Sequence, residues 1–133
     1  MRILIVDDDK GTRMFLSKVL SALGEVVSAA TGGEALDVFG RALAGGNPFG
    51  LISLDIIMPG LDGQSTLRAM RELEKRHGVA PGQEAKVMMV TACGDAGNVT
   101  TAFFEGQADG YIQKPLDLNG IRATLAQMGL QLP

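Results

Sequence analysis

The chain holds one cysteine, Cys93, and one histidine, His77, in 133 residues. A lone thiol excludes an internal disulfide and a thiol-rich metal cluster, and it fits a reducing cytoplasm. No apolar run approaches the roughly 18 residues of a membrane span. The N-terminal run MRILIVDDD ends in acid where a secretory leader would have small residues. Basic runs are missing as well. Twelve basic residues stand scattered against 15 acidic ones, a net charge of −3, and offer no nucleic-acid face. Internal repeats and low-complexity linkers are absent, and the 18 glycines are dispersed in the manner of tight turns. What is left is a soluble chain, 46% hydrophobic, read as a single domain over residues 1–133 and long enough to bury a core.

Within it, five β-type runs alternate with helical patterns. The strands are expected at Arg2–Val6, Glu25–Ala29, Gly50–Leu54, Lys86–Thr91 and Gly110–Gln113. Leu16, Val19, Leu20 and Leu23 fall at i, i+3, i+4 and i+7, with Gly24 as the stop of that helix. Thr31 reads as the N-cap of a second helix carrying Leu36, Phe39 and Leu43. A third begins after Gly63 with Leu67, Met70 and Leu73 inward. Val99, Ala102, Phe103 and Gly106 mark a fourth pattern, and Leu118, Ile121, Leu125 and Met128 a fifth. GVAPGQEAK (78–86) is a polar turn longer than its link needs. The expected fold class is α/β, a (βα)5 flavodoxin-like doubly wound parallel sheet with strand order 2-1-3-4-5. In that order ligands bind beyond the carboxyl ends of strands 1 and 3.

Those ends carry acids. Strand 1 runs into Asp7-Asp8-Asp9, and LISLDIIMPG (51–60) places Asp55 at the end of an apolar strand. Two unit charges about 4 Å apart repel by roughly 4 kcal/mol at an effective dielectric of 20. Either a pKa rises or a cation sits between them. An all-oxygen ligand set suits Mg²⁺. Asp9 reads equally as the N-cap of helix 1. Strand 4 ends in Thr91 and strand 5 in Lys114-Pro115, adding a hydroxyl and an ammonium at the same edge. Such a set can hold Mg²⁺ and a phosphoryl group, leaving one carboxylate free to attack.

VDDD (6–9), LDIIMPGLDG (54–63), VTA (90–92) and YIQKP (111–115) together resemble the signature of response-regulator receiver domains of two-component signalling, of the chemotaxis-regulator type. The resemblance spans essentially the whole chain in order and spacing. It implies that Asp55 is the phosphoacceptor and that Asp8 and Asp55 ligate Mg²⁺ directly. Asp7 would act through water, with the Ile57 carbonyl completing the set. Thr91 and Lys114 would contact the phosphoryl group, with the Lys114–Pro115 bond in cis. Thr91 and Tyr111 would form a switch pair that remodels the face made by the fourth helical pattern, strand 5 and the fifth helical pattern. The implied partners are a sensor histidine kinase or phosphotransfer protein and a downstream protein target, with no direct nucleic-acid or membrane contact. Ile57 and Cys93 would border the approach of hydrolytic water, and neither orients it, so slow phosphoryl loss is expected.

DDDKGT (7–12) also comes within one residue of the DxDGT pattern of Mg²⁺-dependent haloacid-dehalogenase phosphatases, which place the nucleophile on strand 1. A flavodoxin shares the fold, but three aspartates at strand 1 would repel its phosphate. Asp62-Gly63 reads as a turn, and His77 as a solvated helix end.

Overall fold

The structure, a computed structural model, describes residues 1–92 and 108–133. Five parallel strands form one sheet in the order β2-β1-β3-β4-β5: β1 Arg2–Val6, β2 Glu25–Ala29, β3 Leu51–Asp55, β4 Lys86–Thr91 and β5 Gly110–Gln113. The helices are α1 Lys10–Leu20, α2 Gly32–Ala44, α3 Gly63–Arg76 and α4 Leu118–Gln127. Here α4 is the fifth helical pattern of the sequence. The pattern on Val99, Ala102, Phe103 and Gly106 lies outside the described residues, as does Cys93.

The sheet separates two cores, as a sheet with apolar side chains on both faces requires. On one face Leu4, Val6, Ile52 and Leu54 meet Phe39 of α2 and Leu67 and Met70 of α3. On the other, Ile3, Ile5, Met88 and Val90 meet Leu16 and Leu20 of α1 and Ile121 and Leu125 of α4. Each described helix opens on an oxygen-bearing N-cap: Asp9 to the Thr12 N–H, Thr31 to Glu34, Asp62 to Ser65 and Asp117 to Gly120.

Three boundaries differ from the sequence expectation. β3 lies one residue later, Leu51–Asp55, so Asp55 is within the strand. The ladder continues because Asp55 pairs with Val90 and the Ile56 N–H reaches the Val90 carbonyl at 2.9 Å. Helix α1 ends at Leu20, where the Ser21 hydroxyl donates to the Lys18 carbonyl (2.8 Å) and the Leu23 N–H turns back to Leu20. Gly24 therefore leads into β2 and does not end the helix. Asp62 is the N-cap of α3, so the expected turn there is the helix start itself, with Gly63 its first residue. Gly63 can have no side chain. A Cβ would stand 2.2 Å from the Asp55 carbonyl oxygen and 2.6 Å from the Ile56 Cα.

Candidate functional site

Four of the five strands deliver a group at the same edge because parallel strands end together. Asp7 follows β1, Asp55 closes β3, Thr91 closes β4, and Lys114 follows β5. Asp7 is buried and held on every side. Its N–H donates to the Ala29 carbonyl (3.2 Å), and its own carbonyl accepts from Arg13 Nη1 (2.9 Å). Its Oδ1 accepts the Asp9 N–H (2.9 Å), and its Oδ2 stands 3.3 Å from Lys114 Nζ. Arg13 is not among the residues that the sequence motifs mark out. Its signal was position, one turn into α1 directly after the acids.

Asp55 is buried as well. Its Oδ1 accepts the Ile57 N–H (3.2 Å), and its Oδ2 lies 3.4 Å from Lys114 Nζ. One ammonium thus spans two carboxylates. Burial, followed by the charge of Asp7, pushes the Asp55 carboxyl up to about 6 against the opposing pull of Lys114. Burial pulls Lys114 down, but the Asp55 and Asp7 charges outweigh it and leave its pKa raised. Asp9 behaves differently. The Thr12 hydroxyl and backbone N–H, both at 2.8 Å, hold it below the usual carboxylate range, so it serves as an N-cap.

One carboxylate oxygen from each of Asp7, Asp8 and Asp55 lies within 4.8 Å of the others, with Asp7 and Asp55 buried and Asp8 exposed. The donors are all hard oxygens. Among the described residues Asp7 Oδ2 is buried with no hydrogen-bond donor, its Lys114 contact being an ion pair only. Both features fit a small, hard divalent cation. The Thr91 hydroxyl is buried and donates to the Ala92 carbonyl (3.1 Å). Tyr111 pairs with Met89, two residues before Thr91, so the two side chains share one sheet face on adjacent strands; the Tyr111 side is 47% exposed. The Lys114–Pro115 peptide is cis. His77 caps the C-terminal end of α3, its Nδ1 2.9 Å from the Leu73 carbonyl, away from this edge.

The family model for the response regulator receiver domain matches residues 3–126. The chain is a response-regulator receiver domain. This receiver is 35% identical over 126 residues to the response regulator MprA of Mycobacterium avium, covering 94% of this chain and 49% of that protein. It is 34% identical over 125 residues to the probable transcriptional regulator ycf27 of Porphyridium aerugineum, covering 93% and 46%. The receiver thus spans about half the length of these curated relatives. Among solved structures, a CheY-like receiver domain protein from Methanospirillum hungatei is 34% identical with a TM-score of 0.69, covering 96% of this chain and 94% of that one. A chain of the CheX-CheY-BeF3-Mg+2 complex of Borrelia burgdorferi is similar too: 28% identity, TM-score 0.79, covering 98% of this chain and 90% of that one.

The fold class, strand order and family expected from the sequence hold. The haloacid-dehalogenase alternative does not: the matched family is the receiver, and Asp9 of the near-match DDDKGT is tied to Thr12 as a helix cap. Among the described residues no helix is long and apolar enough to cross a membrane.

Proposed function

We propose that Asp55 is the phosphoacceptor of this receiver, taking a phosphoryl group from a phosphohistidine on a sensor kinase or phosphotransfer protein in the cytoplasm. The observation that carries it is the Lys114 ammonium, 3.3 Å from Asp7 and 3.4 Å from Asp55, beside three carboxylates whose oxygens lie within 4.8 Å. An Asp55 oxygen attacks phosphorus, the phosphorus–nitrogen bond breaks, and the imidazole leaves with its electron pair and takes a proton. With a pKa of about 6, Asp55 is mostly ionised at pH 7 and ready to attack. Lys114 stays charged and faces the developing phosphoryl negative charge. Asp8, Asp55, the Ile57 carbonyl and, through water, Asp7 would hold Mg²⁺, which supplies charge neutralisation at the phosphoryl oxygens.

Thr91 and Tyr111 serve as the switch. The Thr91 hydroxyl leaves Ala92 for the phosphoryl oxygens, and the ring of Tyr111, on the same sheet face, follows. That changes the surface around β5 and α4 which a downstream protein reads, biasing a two-state equilibrium. Residues 1–133 act as one such domain, with no direct nucleic-acid contact of their own. The reading is tested with Mg²⁺ and acetyl phosphate, which should give one acid-stable, base-labile phosphoryl group per chain. Asp55→Ala should abolish the labelling. Full labelling of that variant overturns the assignment.

A further inference from the structure

Away from the site, at the opposite end of the sheet, Glu74 is a buried acid that the chemistry above does not use. Its Oε2 accepts the Ala85 N–H and its Oε1 accepts Arg71 Nη1, both at 2.8 Å. Arg71 Nη1 also donates to the Ala85 carbonyl (2.8 Å), and Arg71 Nη2 stands 3.6 Å from Asp109 Oδ2. Asp109 in turn grips the start of β4. Its N–H donates to the Val87 carbonyl (2.9 Å), and its Oδ2 accepts the Val87 N–H (2.8 Å). A carboxylate here takes the place of a backbone carbonyl, one residue before β5 begins. α3, the turn before β4 and the start of β5 are tied together by one guanidinium and two acids.

β5 needs such help. Among the described residues it is the edge strand, four residues long and paired with β4 alone. Gly110 and Ile112 face inward and are buried, while Tyr111 and Gln113 are exposed. Ile112 is thus the one large inward side chain that opposes a one-residue slip, with Gly110 adding a side-chain obstacle, since a Cβ there would stand 2.8 Å from Met128 Sδ. A two-residue slip keeps the in-out pattern and would displace Lys114 by about 7 Å along the strand. Lys114 is fixed at the far end by its N–H to the Thr91 carbonyl (2.8 Å).

We propose that the Arg71–Glu74–Asp109 cluster sets the register of β5 and so determines where the Lys114 ammonium stands. Arg71 and Asp109 are then positioning residues, acting on the phosphoryl site through Lys114 from the other end of the strand. The role of Lys114 rests on the function proposed above; the register claim does not.

The test uses Arg71→Met, Asp109→Ala and the milder Asp109→Asn, which keeps an acceptor for the Val87 N–H but loses the charge. Amide hydrogen exchange should accelerate tenfold or more at Lys114 in Arg71→Met and Asp109→Ala, and less in Asp109→Asn. Ile5, in the middle of the sheet, should stay within twofold. Affinity for beryllofluoride with Mg²⁺ should fall three- to tenfold in Asp109→Ala, and the same substitution should have no further effect in a Lys114→Ala background. Exchange at Lys114 within twofold of wild type overturns the register claim. A full effect of Asp109→Ala in the Lys114→Ala background overturns the route through Lys114. If the wild type binds no beryllofluoride, the function proposal fails, and the exchange data still decide the register.

Discussion

Asp55→Asn should make the protein more stable while removing the proposed acceptor. Wild-type Asp55 is buried beside Asp7, and its carboxyl is raised from 3.8 to about 6. Each unit of such a shift corresponds to about 1.4 kcal/mol, so keeping the charge in the folded protein costs roughly 3 kcal/mol at most. Lys114 is partly exposed, and solvent around it softens both the repulsion and the pairing, which brings the expected gain to about 1–3 kcal/mol. The sign follows from proton uptake. Between pH 4 and 6 the folded wild type retains a proton that the unfolded chain has released, so wild-type stability falls as pH rises through that window. The asparagine does not titrate. Urea unfolding in EDTA should therefore show little difference between the two proteins below about pH 3.8 and the full gain above about pH 6. Near neutral pH that gain should raise Tm by roughly 5–10 °C. Mg²⁺ should then narrow the gap, since it stabilises the wild type by mass action and the variant has lost a charged ligand. Equal stability at pH 8, or a gap of the same size at pH 4 and pH 8, would refute the assignment of burial and Asp7 as the cause.

Gly63→Ala sets a Cβ 2.2 Å from the Asp55 carbonyl oxygen, where only backbone can yield. It should cost about 2–3 kcal/mol in urea unfolding and slow labelling by acetyl phosphate. The Ser53 hydroxyl is buried without a partner, so Ser53→Ala should stabilise the fold by about 1 kcal/mol; a loss of that size would show a partner for the hydroxyl. Ile57 is 56% exposed beside Asp55, and its side chain offers no hydrogen bond to a water approaching phosphorus. Ile57→Asn should speed phosphoryl loss about 5- to 30-fold, worth roughly 1–2 kcal/mol of positioning. Decay of purified phosphoprotein no faster than wild type in Ile57→Asn and in the Ile57→Asn, Cys93→Glu double variant would show that these side chains do not govern water access.

Much of this molecule is legible in its sequence because apolar strand runs and helix caps are local signals. The (βα)5 alternation points to a parallel sheet, for which the flavodoxin-like order is the expected one, and Thr31 announces its helix by residue type, as Asp9 does in part. The sequence brings the acids to one edge because parallel strands end together. Glu74 shows where local reading stops. On the helical wheel it neighbours Leu67, Met70 and Leu73, but nothing in RELEK says that a buried glutamate will meet the Ala85 N–H across the long turn after α3. That bond ties the end of the turn back to α3, and it is nonlocal. Arg13 escaped for the same reason: its partner is a backbone carbonyl, and carbonyls leave no mark in a sequence.

The run VDDD makes the same point at the scale of single residues. Three identical side chains in succession acquire three environments because the chain turns from strand to helix beneath them. Asp7 still belongs to the end of β1, so it is buried and fixed from all sides. Asp9 already belongs to α1, where its carboxylate satisfies the Thr12 N–H and loses its freedom to ligate. Asp8 lies between the two and is exposed, with an oxygen within 4.8 Å of those of Asp7 and Asp55. A metal entering from solvent would meet Asp8 first and find the other charges already oriented. Lys114 bridges Asp7 and Asp55 until then, at 3.3 and 3.4 Å, and offsets part of their repulsion. Preorganisation at this edge therefore comes from backbone hydrogen bonds to Asp7 and from one ammonium, and burial together with the remaining repulsion from Asp7 accounts for the raised pKa of Asp55.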